Sequence, residues 1–225
     1  MTKQKLLSID PSRVFIRDIM GSDEELTEDY YSSVRYVVEN FLKDDPDMNI
    51  LLRVYGFCDY TAKTMQEIAD ELQESKNAVV TRFDRAKRVV RNNYTITHIL
   101  GFGIMQYDAY VKDKESLISD LNSDYSFKKL VALLEHIGLW EIPMSTKVRN
   151  SLATGKSISV TPSDNVLKFM FITEDDLQCC HGIGKNGALE VMEIQTSILK
   201  KYGYDNGTKI FRHFYERKYG GIYNG

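Results

Sequence analysis

Apolar residues in this chain recur at intervals of three and four along most of its 225 positions, and long stretches that alternate apolar with polar are missing. That period belongs to helices with one buried stripe, whereas a half-buried strand needs a period of two. The expected fold class is therefore all-α. Four prolines (Pro11, Pro46, Pro143 and Pro162) interrupt the pattern and punctuate it. Hydrophobic residues at 43% and charged residues at 27% are ordinary globular usage, which excludes a disordered chain.

This length fits one large or two small domains. Residues 1–22 read as a loosely ordered lead. A helix over about 24–43 ends at Asp44-Asp45-Pro46-Asp47, a short helix over Asn49–Tyr55 stops at Gly56, and two helices follow within 64–92. These make a first helical domain over 23–94. Residues 95–137, with a Gly101-Phe102-Gly103 break, read as a helical connector. A second helical unit covers 138–204, and 205–225 form a basic, aromatic tail with Lys209, Arg212, Arg217 and Lys218. The tail's Phe211, Phe214, Tyr215 and Tyr219 suit either stacking on nucleic acid or closing the fold as an amphipathic helix.

Several function classes drop out. No apolar run approaches the roughly 18 residues of a membrane helix, and the polar start Met1-Thr2-Lys3-Gln4-Lys5 lacks a signal-peptide core. The three cysteines, Cys58, Cys179 and Cys180, form no disulfide framework, so the expected location is the reducing cytoplasm. His98, His136, His181 and His213 lie far apart, and Cys179-Cys180-His181 lacks a second ligand pair, so neither metal nor cofactor is expected. Asp44-Asp45 and Asp175-Asp176 belong to a helix end and a helix start. No nucleophile elbow occurs, and Gly184-Lys185 lacks phosphate-loop spacing. An enzyme is the least expected class, with no catalytic residue to name.

The net charge of −3 points to no nucleic-acid partner, but its distribution does. Thr64-Met65-Gln66-Glu67 is a capping box that starts a helix. Met65, Ile68, Ala69 and Leu72 form its apolar stripe. Gln73-Glu74-Ser75 makes a turn, with Ser75 as the next N-cap. In the helix that follows, Val79, Phe83, Ala86 and Val90 face the core, while Asn77, Thr81, Asp84, Arg85 and Arg88 fall opposite at about 100° per residue. Residues 76–91 hold six cations (Lys76, Arg82, Arg85, Lys87, Arg88, Arg91) against Asp84, a local +5 behind an acidic helix. Such a helix suits a DNA major groove, with arginines on phosphates and short polar side chains at base edges. A solvated basic helix in a bundle is the alternative.

Leu51-Leu52-Arg53-Val54-Tyr55-Gly56, Thr64-Met65-Gln66-Glu67-Ile68-Ala69 and Ser75-Lys76-Asn77-Ala78-Val79-Val80-Thr81 resemble the fourth conserved region of bacterial sigma factors, over roughly 30–93. That region reads the −35 promoter element and docks on the RNA polymerase flap. The resemblance implies that Lys76, Asn77 and Thr81 read bases and that Arg85 and Arg88 lie near the backbone; Arg82 is a further candidate DNA contact on the same helix. Ala78 and Val80 stand where the family usually has arginines, and Thr81 replaces a glutamine.

A second motif lies downstream. Thr173-Glu174-Asp175-Asp176 reads as a helix start, followed by Gly182-Ile183-Gly184-Lys185-Asn186-Gly187-Ala188 and a helix whose inner face is Ala188, Val191, Ile194 and Ile198. Glycines there permit a tight turn and close approach of backbone N–H groups to a phosphate at a helix N-terminus. A turn kept for packing is the alternative. With Met144-Ser145-Thr146-Lys147-Val148-Arg149-Asn150-Ser151-Leu152, this stretch is similar to the C-terminal domain of the RNA polymerase alpha subunit, over about 138–203. That helix-hairpin-helix domain grips the minor groove of A·T-rich DNA. The resemblance implies that Lys147 replaces the groove-inserting arginine, with Arg149 as a compensating cation. Asn150 matches the family's asparagine, and Gly182, Gly184, Lys185, Asn186 and Gly187 make the hairpin contacts. A lysine lacks the planar fork of arginine, so weaker binding is implied. An insertion at Thr161-Pro162-Ser163-Asp164-Asn165 departs from the family.

Together these readings lead to the expectation of a transcription regulator that contacts double-stranded promoter DNA and bacterial RNA polymerase, with a phage or mobile-element origin suited to such a hybrid. The stretch before residue 30 is too short for the region that melts the −10 element, so a complete sigma factor is not expected. The alternatives are a protein-interaction adaptor or polymerase decoy that does not bind DNA, and a DNA repair or replication accessory that uses the hairpin.

Overall fold

The computed structural model describes residues 10–21, 29–155 and 159–220. Among them the regular structure is helical, and the only β contact is an isolated antiparallel bridge between Gly138 and Asn165. The chain divides into two compact units, Met1–Val111 and Lys112–Gly225.

The first unit starts with a helix where the sequence reading expected a loose lead. Asp10 accepts a hydrogen bond from the Ser12 N–H at 3.0 Å and Pro11 follows, so α1 (Pro11–Met20) has a capped start, and it ends at Gly21 with φ +85°. Its Val14, Phe15, Ile16 and Ile19 are buried. Phe15 stands edge-on to Tyr55 and Phe57 with ring centroids 5.3 and 5.5 Å away. α2 (Tyr30–Val37) runs on into one π turn, Val38–Leu42; the expected start near 24 lies outside the described residues. α3 (Asn49–Tyr55) stops at Gly56, where φ is +72° and a Cβ would stand 2.7 Å from the Ala62 nitrogen. Only glycine fits such a position without strain.

α4 (Met65–Leu72) and α5 (Lys76–Asn92) follow, then α6 (Tyr94–Phe102), which ends at Gly103 with φ +90°. The segment expected to be a helical connector, 95–137, holds the rest of α6 and two further helices. Ile96, Ile99 and Leu100 of α6 are buried in the first core, α7 (Ile104–Ser123) crosses the boundary between units, and α8 (Phe127–His136) buries Leu130, Leu133 and Leu134 in the second core.

The second unit continues with a 3-10 turn, Leu139–Glu141, then α9 (Thr146–Ala153), α10 (Val166–Met170), α11 (Glu174–Cys179), α12 (Lys185–Lys201) and α13 (Gly207–Tyr219). The 161–165 insertion is stitched to the turn before α9: the Leu139 N–H donates to Asp164 O at 2.7 Å and the Trp140 N–H to Pro162 O at 3.1 Å. Asp164 accepts from Thr161 N–H and from the Lys168 ammonium, and Asn165 caps α10. Phe211 and Tyr215 of α13 are buried, so the tail closes the fold as an amphipathic helix. No helix among the described residues is long and apolar enough to cross a membrane.

Candidate nucleic-acid interface

The turn between α4 and α5 is built by local chemistry. Thr64 and Glu67 form a reciprocal capping box at the start of α4, with the Thr64 N–H donating to Glu67 Oε2 at 2.8 Å. Such a cap stabilises a helix by about 1 kcal/mol. Gln73 takes the left-handed conformation (φ +55°), which lets Ser75 turn back and accept from the Ala78 N–H at the start of α5. Farther back, Glu71 accepts from Arg53 of α3 at 2.9 Å and from Lys63, which ties α4 to the rest of the unit. The Lys63 ammonium, with Arg53 beside it, holds the Glu71 carboxyl below its ordinary range.

Val79, Phe83, Ala86 and Val90 of α5 are buried, and Lys76, Asn77, Thr81, Arg82, Arg85 and Arg88 are all exposed. The six cations of 76–91 divide by partner. Arg82 pairs with Glu74 at 2.7 Å, Lys87 with Asp84 at 3.6 Å, and Arg91 donates to the carbonyls of Ile19 and Asp18 at 3.1 and 2.7 Å. Arg91 thus caps the C-terminal end of α1, a structural role that its place on a basic helix did not reveal. Lys76, Arg85 and Arg88 have no ion pair or hydrogen bond among the described residues. The Arg82–Glu74 pair is solvent-exposed on both sides, and such pairs contribute at most about 1 kcal/mol, so a phosphate can displace the glutamate.

The second predicted site is drawn from two elements that the fold brings together. Thr173 and Asp176 form a capping box at the start of α11, and the hairpin 180–184 leads into α12. Gly182 has φ +88°, and a Cβ there would stand 2.8 Å from Ser151 Oγ on α9. At Gly187 a Cβ would meet Ile183 and Val148 side chains, both at 3.3 Å. Ser151 and Val148 therefore face the hairpin, which puts exposed Lys147 and Asn150 on one flank of α9 beside it. Ser145, the N-cap of α9, donates from its N–H and hydroxyl to Glu190 of α12 at 2.5 and 2.9 Å. A pairing across 45 positions carries no sequence signal.

Gly184 differs from its neighbours. Its φ of −87° suits any residue, and a Cβ would meet nothing within 4 Å. Packing does not ask for glycine there. With no side-chain cap on α12, the first-turn N–H groups of Lys185, Asn186 and Gly187 stand uncapped, and all but the half-buried Gly187 are exposed. Arg149 falls elsewhere: it is half-buried on the opposite flank of α9, lining a small cavity with Leu139, Met144 and Pro162. The compensating cation implied for the minor groove is thus turned away from Lys147 and Asn150. No group of three or more metal-ligating side chains occurs among the described residues. Comparison of the chain with protein-family models, curated proteins and solved structures gives no match.

Proposed function

We propose that the chain is a DNA-binding transcription regulator that uses α5 as a recognition helix and the α9–hairpin pair as a second, sequence-independent grip on promoter DNA. One observation carries this reading. Asn77, Thr81, Arg85 and Arg88 share the solvent face of a helix whose opposite face is buried, two of its three unpaired cations lie on that face, and the third, Lys76, is exposed at its N-terminal end. Arginines spaced along such a face neutralise phosphates, while Asn77 and Thr81 near the helix N-terminus have the donors and acceptors for base edges. Gly184 and the uncapped N–H groups of α12 support the second grip. Contact with bacterial RNA polymerase is part of the proposal and rests on the two family resemblances.

A protein-interaction adaptor that binds no DNA is the second reading. It is favoured by half-exposed Val89 on α5 and by the commitment of Arg91 to α1.

Fluorescence anisotropy of labelled duplexes tests the first reading. Replacing Arg85 and Arg88 with Ala should weaken binding to every sequence and reduce the log–log salt slope by about 2. Replacing Lys147 and Asn150 should matter most on A·T-rich DNA. Unchanged affinity in the α5 double variant would remove that helix from the interface. Purified bacterial RNA polymerase on a sensor surface tests the second partner; no binding there would leave a DNA-only regulator.

A further inference from the structure

A cavity of about 550 Å3 opens within the second unit between α7, the 137–143 segment and α12. Ile118, Ile137, Ile142, Ile194 and Ile198 give it an aliphatic lining. Residues 190, 193, 194, 197, 198 and 201 all line it, so one stripe of α12 forms a wall over three turns. Small-molecule sites occupy roughly 300–1,000 Å3 and combine such a lining with a few converging polar groups.

The charged groups here are three carboxylates and two ammonium groups. Glu141 pairs with Lys114, and the two are only about one-fifth exposed. Glu190 is engaged by Ser145. Lys201 has its ammonium over the Tyr202 ring at 5.3 Å. Glu193 has no hydrogen bond or ion pair among the described residues, so it is the carboxylate of the lining left without a partner. Lys201 lies about 12 Å along the helix from it, at 1.5 Å per residue.

We propose that this cavity binds a small amphipathic cation, with an aliphatic or aromatic body on the isoleucine lining and an ammonium or amidinium group on Glu193. The lining carries a net charge of −1, with Lys114 committed to Glu141, so an anion would face Glu190 and Glu193 against the single ammonium of Lys201. The lining includes none of the side chains assigned to DNA, so its test does not depend on DNA binding.

Trp140 is the only tryptophan and sits in the turn that carries Glu141, so its fluorescence, together with titration calorimetry, reads binding to the full chain. The probes are octylammonium, octanol and octanoate at matched ionic strength. Octylammonium should saturate and bind about tenfold more tightly than the other two, the worth of one charge-assisted contact. Glu193→Gln, at an exposed position, should erase that preference and leave octanol binding unchanged. Ile194→Phe, checked by its melting curve, should weaken all three by filling the cavity. Equal binding of the three probes, tighter octanoate, or no saturation by octylammonium at millimolar concentration would each overturn the assignment. So would an unchanged preference in Glu193→Gln.

Discussion

Gln195 of α12 and Arg212 of α13 converge on one acceptor, the backbone carbonyl of Ile172, at 3.0 and 2.7 Å. Arg212 also donates to Gln195 Oε1 at 3.2 Å and to Met170 O at 2.7 Å, and Gln195 donates to Phe169 O at 2.8 Å. The carbonyls left over where α10 ends are thereby satisfied by side chains from two later helices. Burial pushes the Arg212 guanidinium below its ordinary range, and five hydrogen bonds from the pair offset that cost.

Removal of either partner strands buried carbonyls. Arg212→Met and Gln195→Leu are each expected to cost about 2 kcal/mol in urea unfolding. The double variant should cost less than the sum, because the two residues share an acceptor. Arg212→Lys should restore little, since one ammonium cannot span the carbonyls of Met170 and Ile172 as the planar fork does. A fully stable Arg212→Met would show that the closing helix is held by Phe211 and Tyr215 alone.

Arg91 and Arg88 lie three positions apart on α5 and should behave oppositely. Arg91→Ala frees the Asp18 and Ile19 carbonyls and should cost about 1–2 kcal/mol of stability. Arg88→Ala touches no partner and should leave the melting curve unchanged while lowering DNA affinity. Thermal melts beside anisotropy titrations separate the two; a stable Arg91→Ala would refute the capping role.

The hairpin glycines are separable in the same way. Gly182→Ala places a side chain at φ +88° against Ser151 and should destabilise by about 1–2 kcal/mol. Gly184→Ala enters open space at an ordinary φ and should fold as well as the parent. If a phosphate approaches there, Gly184→Ala loses DNA affinity without losing stability, a dissociation that calorimetry and binding titrations read together.

Alkaline pH should act on the first unit through Tyr55. Its phenol is buried and donates to Asp18 Oδ2 at 2.7 Å; burial, then that hydrogen bond, push its pKa up. The folded state holds the proton more tightly than the unfolded chain, so the contribution is fully present below about pH 10, the unfolded value, and is lost as pH rises above it. Tyr55→Phe should cost about 1 kcal/mol at pH 7, and the gap to the parent should narrow above pH 10. A constant gap across that range would exclude the linkage.

Local chemistry made much of the first unit readable. Thr64 and Glu67, Ser75, and Gly56 each act within four residues of themselves, and the structure has them where their spacing put them. The same signals were present at Asp10-Pro11 and Gly21, where N-cap, first-turn proline and terminal glycine bracket α1. Its apolar stripe was present as well, with Phe15 and Ile16 four and three positions before Ile19, but it spans only ten residues after a polar lead.

The sequence by itself determined the helical class, the caps, the buried stripes of α4 and α5 and the exposed face opposite, because all of these depend on spacings within a turn or two. Tertiary structure alone decided which charges are available. It turned Arg91 onto α1, Arg212 onto α10 and Arg149 away from the hairpin, and it joined Ser145 to Glu190. It also gave the two halves of the expected connector to two different cores. A long cationic side chain is committed by whatever acceptor packing brings within hydrogen-bond range, and those acceptors are backbone carbonyls and carboxylates tens of positions away. No periodicity encodes such encounters.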